Sequence, residues 1–119
     1  MDIMFYQTEM NSVPVQDFID GLSAKQKGHV YALLDYFQAV GFAIRSPKAK
    51  KVRDEIFELR CEVRTDEFRI LYAYYDGYAV CLHGFQKRTD KIKESDIEKA
   101  KQRFSDYQLH KKGVGYVRG

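Results

Sequence analysis

The residues of this chain best suited to chemistry are arginines and lysines. Arg60 and Arg69 lie in neighbouring segments with strand-like patterning, and Lys87 and Arg88 end a third, with Phe85 just before them. Pairing the three segments as antiparallel strands gathers the four cations around one end of a small sheet, with Phe85 beside them. A guanidinium fork holds a phosphate through two parallel hydrogen bonds and stabilises the extra charge of a pentavalent phosphorane, while an aromatic ring stacks on an unpaired base. RNA suits such a group. Its 2′-hydroxyl supplies the nucleophile, which leaves the protein alignment, charge stabilisation and proton transfer. The same arginines can instead pair with Glu58 and Glu62 across strands, a common arrangement in sheets, and both readings stand at this point.

Other chemistries find little support. The chain has no Walker loop, GxGxxG, HExxH or CxxC, and His29, His83 and His110 stand far apart without metal-ligand spacing. Neither a metal nor an organic cofactor is expected. His83 alternates onto the same face as Cys81 and Phe85, and reads as a satisfied core histidine rather than a general base. Glu58 and Glu62, among Arg60, Arg64 and Arg69, read as ion-pair partners rather than an acid/base dyad, because adjacent positive charge keeps both ionised.

The net charge is only +3, but its distribution is uneven. Five of the nine residues from Arg45 to Arg53 are basic and none is acidic; Lys87, Arg88, Lys91 and Lys93 form a second cluster broken only by Asp90. Such clusters suit a polyanion, nucleic acid or an acidic protein, with a solvated surface as the plain alternative. At 119 residues and 45% hydrophobic content, the composition fits one modest core. No apolar run reaches membrane-spanning length, and the start at Met1 lacks a signal-peptide pattern, so a cytoplasmic protein with no membrane partner is expected. In that compartment Cys61 and Cys81 read as buried thiols.

The elements that must position these groups follow from periodicity. Residues 3–6 read as a strand. Asn11 or Ser12 can cap a helix with Pro14 in its first turn and Val15, Phe18, Ile19 and Leu22 on one face. Ser23 and Gln26 form a capping-box pair before Val30, Leu33, Leu34, Phe37 and Val40, with a stop at Gly41. Residues 42–54, with Pro47, read as a connecting loop. From Ile56 apolar and charged residues alternate; a turn near Thr65-Asp66 and the Asp76-Gly77 hairpin signal complete a three-stranded meander. Two-residue turns there predict Arg64 opposite Glu67 and Tyr75 opposite Tyr78. One face then carries Phe57, Leu59, Cys61, Val63, Phe68, Ile70, Tyr72, Tyr74, Ala79, Cys81, His83 and Phe85. The other carries Glu58, Arg60, Glu62, Arg64 and Arg69 with Leu71, Ala73, Val80 and Leu82. Residues 93–110 predict a helix with Ile97, Ala100, Phe104 and Tyr107 on one side, able to cover Leu71, Val80 and Leu82 or to leave them for a partner. The reading is an α+β fold: an N-terminal strand and two-helix hairpin on an antiparallel meander, then a C-terminal helix. Residues 1–112 form its single domain and residues 113–119 a flexible tail.

Several short runs together resemble a known family. Glu58-Leu59-Arg60, Phe68-Arg69-Ile70-Leu71-Tyr72, the Asp76-Gly77 turn, Leu82-His83-Gly84-Phe85-Gln86-Lys87-Arg88-Thr89, Ile97-Glu98-Lys99-Ala100 and Tyr107 resemble the phage-related HigB-like branch of the RelE/ParE toxin superfamily, over residues 1–112. The resemblance implies a RelE-like fold and the toxin of a type II toxin-antitoxin system. It also implies a ribosome-dependent, metal-independent mRNA endonuclease acting by 2′-hydroxyl attack, with an antitoxin of helix-turn-helix type as partner. Carried over, Arg69, Lys87 and Arg88 contact the scissile phosphate, Arg60 supports them, and Phe85 contacts a base or shapes the pocket. Lys48, Lys50 and Lys51 engage ribosomal RNA or the mRNA backbone. Where some RelE members place catalytic lysines, this chain has Ile56 and Glu58, so the general base is open among Lys50, Lys51 and Lys87, each needing a lowered pKa, with Tyr72 and Tyr107 as lesser candidates. Two alternatives keep the fold: a ParE-like gyrase inhibitor without nuclease activity, and an inactive phage-derived binding protein.

Overall fold

The structure, a computed structural model, describes residues 1–117. In chain order the elements are β1 (Ile3–Tyr6), α1 (Pro14–Asp20), α2 (Ala24–Val40), a 3-10 turn (Gly41–Ala43), β2 (Ala49–Arg53), β3 (Ile56–Val63), β4 (Asp66–Tyr75), β5 (Tyr78–Lys87), α3 (Glu94–His110) and β6 (Gly113–Gly115). The strands form one sheet in the order β2-β3-β4-β5-β1-β6, antiparallel except where β1 runs parallel to β5. This is the expected α+β arrangement.

Local signals account for the helices. Pro14 opens α1, but the cap is Val13; Asn11, expected as a cap, adopts a left-handed conformation (φ 70°) inside a turn closed by Thr8 and Ser12. The Ser23–Gln26 capping box at the start of α2 forms in full, with bonds of 3.2 and 2.9 Å, and Gly41 takes the positive φ that ends the helix. α1 and α2 bury Ile19, Leu34 and Phe37 against Leu59, Ile70, Tyr72 and Cys81 on one sheet face. On the other face, α3 places Ala100, Phe104 and Tyr107 over Ile56, Leu71, Val80 and Leu82. The apolar strip beneath the charged half is therefore covered by the chain itself. Each such side chain contributes about 1.5–3 kcal/mol by leaving water. Cys61 and Cys81 are buried free thiols, as expected, and burial pushes the Cys81 thiol up to about 12.

Four features depart from expectation. The predicted loop at residues 42–54 contains an edge strand: β2 pairs with β3, Lys50 opposite Glu58 and Lys51 opposite Phe57. Its charged side chains hide the strand pattern because an edge needs cations more than apolar residues. The β3–β4 turn falls at Arg64-Thr65, not Thr65-Asp66, because Arg64 adopts positive φ (58°); Val63 faces Asp66, so the pairing slips by two residues. Each side chain keeps its face, and Arg60 comes directly opposite Arg69.

β4–β5 begins as predicted at Tyr75 opposite Tyr78, but the register shifts between Leu71 and Tyr72, where β5 carries Leu82 as an extra residue. The bulge moves His83 and Phe85 from the expected helical-hairpin face to the α3 face, and puts Gly84 and Gln86 in their place. A Cβ at Gly84 would lie 2.4 Å from the Phe18 ring, so the close approach of α1 requires glycine here. Finally, part of the predicted flexible tail is a strand. Lys111, in a left-handed conformation, reverses the chain, and Val114 pairs with Phe5 across β1–β6. Residues 118 and 119 lie outside the described residues. Among the described residues no helix is long and apolar enough to cross a membrane.

Candidate functional site

α3 covers only part of its sheet face. Beyond it, toward the Arg64-Thr65 turn, lies a cleft of about 400 Å3 between β2 and the β5–α3 loop. Lys50, Lys51, Arg53, Glu58, Arg60, Arg69 and Lys87 line it from the strands, and Asp90, Lys91, Ile92 and Ile97 from the loop and α3. Seven cations thus face two carboxylates. Strand pairing explains the crowding, since Lys50 lies opposite Glu58, Arg60 opposite Arg69, and Glu67 opposite Lys87.

Arg69 forms the floor and is only 1% exposed. Its Nη2 donates to Glu67 Oε1 (2.7 Å) and its Nη1 to the Phe68 carbonyl (3.1 Å). Glu58, itself buried, sits between the two arginines, 3.6 Å from Arg69 Nε and 3.5 Å from Arg60 Nε. Neither Nε makes a hydrogen bond among the described residues. A buried guanidinium is tolerable only with such compensation, since an unpaired one costs several kcal/mol. The Arg69 hydrogen bond holds the Glu67 carboxyl below the usual carboxylate range. The ion-pair reading of Glu58 is realised, while Glu62 is exposed and faces Glu67 across the strands.

The family described as Phage derived protein Gp49-like (DUF891) matches residues 17–105, about three quarters of the chain and every residue lining the cleft. The chain belongs to this family. Gp49-like proteins are a RelE-like, toxin-type family. No curated protein matches the chain.

Of the candidate residues in this Gp49-like chain, the fold brings Arg60, Arg69, Lys87, Lys50 and Lys51 into one cleft. Phe85 joins that face, opposite Arg69, because of the bulge, and its ring stacks on His83 with centroids 5.2 Å apart. Arg88 turns aside, donating to Gln86 Oε1 (2.9 Å), and lines a neighbouring hollow. Lys48 is exposed outside the cleft, its Nζ 5.1 Å from the Tyr36 ring centre. Tyr72 lies buried on the opposite sheet face, and Tyr107 lies on the buried side of α3, its hydroxyl bonded to that of Tyr78 at 2.6 Å. Burial pushes both phenols well above the usual range, and neither lines the cleft.

His83 is satisfied, although by partners on α3. Its Nε2 donates to Asp96 Oδ1 (2.7 Å), and its Nδ1 lies 3.3 Å from Arg103 Nη1. Burial holds its pKa below the usual histidine value, in keeping with a neutral ring. The sequence reasoning missed Arg53, Lys91 and Asp90 as cleft residues and Glu67 as the partner of Arg69. The two cations stood in the basic clusters already recognised, but their convergence depends on β2 pairing and on the β5–α3 loop.

Proposed function

We propose that this Gp49-like protein is the toxin of a type II toxin-antitoxin pair, of the HigB-like branch, and cleaves mRNA on the ribosome. The observation that carries the reading is the seven-cation cleft, with Arg60 and Arg69 side by side above a buried glutamate. It is a site for a phosphodiester. The 2′-oxygen attacks phosphorus, the bond to O5′ breaks, and a 2′,3′-cyclic phosphate and a 5′-hydroxyl end result. One proton leaves the 2′-hydroxyl and one reaches O5′. Lys87 and Arg60 contact the phosphate, and Arg69, held by Glu58 and Glu67, fixes the position of the pair. Proton transfer falls to a cleft lysine, Lys50, Lys51 or Lys87. A helix-turn-helix antitoxin is the neutralising partner, and Lys48 extends the basic surface toward ribosomal RNA.

Burial of Arg69 favours a second reading. With Nη1 and Nη2 turned to the Phe68 carbonyl and Glu67, the group can serve a surface that binds without chemistry, as in a ParE-like gyrase inhibitor or an inactive phage-derived protein. The test is purified protein with programmed ribosomes in excess chelator, using mRNA that carries a 2′-deoxy substitution at each A-site position in turn. Cleavage of the ribose form, blocked by one deoxy substitution, supports the nuclease. Intact mRNA under all conditions overturns it.

A further inference from the structure

Beside the cationic cleft lies a second hollow of about 310 Å3, at the start of α3. Lys87 lines both spaces, so a strand whose phosphate rests on Lys87 places an adjacent base in this hollow. Phe85 lines it too, and the His83 ring stacks behind Phe85 at 22° to its plane. That is a stacking platform with a rigid backing. Asp96 and Ser95 supply acceptors at the rim and Lys93 a cation. His83 occupies Asp96 Oδ1 and thereby orients the carboxylate, while Oδ2 makes no hydrogen bond among the described residues.

We infer that this hollow is a base subsite that selects guanine, with Asp96 as the specificity-determining residue; the inference rests on the RNA reading of the neighbouring cleft. Guanine presents two adjacent donors, N1–H and the 2-amino group, which suit Asp96 Oδ2 and Ser95 Oγ, and its O6 and N7 acceptors suit Lys93. Uracil offers one donor flanked by two carbonyls, which a carboxylate repels. Cytosine and adenine each present an amino donor without the adjacent N–H.

The test is fluorescence anisotropy at low ionic strength with labelled RNA pentamers: all-uridine, and uridine with one guanosine at each position in turn. The wild type should bind one guanosine register roughly tenfold more tightly than all-uridine RNA, the discrimination expected of one good polar base contact. Asp96→Asn, which keeps an acceptor for His83 and removes the charge that repels uracil carbonyls, should reduce the difference to within about twofold. Ser95→Ala leaves the His83 contact intact and should lower the preference severalfold. Salt-dependent binding of both RNAs with no guanosine preference, or a preference that survives Asp96→Asn, overturns the subsite and leaves the RNA reading standing. No binding of either pentamer by the wild type overturns the subsite, and the RNA reading is then decided separately by the programmed-ribosome assay.

Discussion

Replacing Arg69 with methionine removes the guanidinium but keeps an unbranched stem at a position only 1% exposed. Glu58 then retains Arg60, 3.5 Å away, as its cationic partner. Removing one member of a buried pair costs about 3–5 kcal/mol, and the remaining Arg60 contact places this case near the lower end, about 3 kcal/mol. The Glu67 contact adds little, because that carboxylate is substantially exposed and screened. Urea unfolding followed by circular dichroism reads the cost directly. With a slope of about 2 kcal/mol per molar, the midpoint should fall by about 1.5 M. Glu58→Gln in the Arg69→Met background removes the stranded charge and should restore most of the lost stability, because the original pair offset its own desolvation only in part. A cost below about 1 kcal/mol for Arg69→Met, or no recovery in the double variant, would refute the reasoning. Loss of activity in Arg69 variants is therefore to be read beside their stability.

Three further outcomes are expected. Gly84→Ala drives a methyl into the Phe18 ring beside the bulge and should cost about 1–3 kcal/mol in the same urea assay; a neutral result would mean that α1 does not need this close approach. For His83, burial lowers the folded pKa, and the Asp96 hydrogen bond offsets only part of that. As pH falls below the ordinary histidine value of about 6.5, the unfolded chain takes up this proton first, so stability should decline from there toward the folded value and be flat above it. Stability measured between pH 5 and 7.5 should show a shallower slope in His83→Gln, and an unchanged slope would exclude His83 as its source. Lys87→Ala should weaken binding of single-stranded RNA and reduce the slope of log affinity against log salt by about 0.7, the loss of one phosphate contact; an unchanged slope would remove Lys87 from the interface.

Much of the scaffold was legible because short-range chemistry sets it. The Ser23–Gln26 box, the 3.6-residue period of α2 and α3, the alternation of β3 and the Asp76-Gly77 turn each act over a few residues, and each formed where read. The departures are non-local. β2 hides among cations because it is an edge, β6 exists only because β1 offers an open edge, and Arg64 enters a left-handed turn that no glycine or asparagine announces. At the site, strand parity placed Arg60 and Arg69 on one face and survived the two-residue slip, whereas Lys87, expected beside them from its place at the strand end, reaches that face only through the bulge. Phe85 was assigned to the wrong face because the bulge at Leu82 inverts parity beyond it, and the burial of Arg69 depends on Glu58 and Glu67 closing around it.

The central claim, that the cationic cleft cleaves mRNA, is tested most directly by inducing the wild type and an Arg60→Ala, Lys87→Ala double variant in a bacterial host and mapping mRNA 5′ ends. The expected result is growth arrest with new 5′-hydroxyl ends inside translated frames for the wild type, and neither for a double variant that accumulates as a folded protein. Growth arrest with intact mRNA, or the same ends from the double variant, would contradict it.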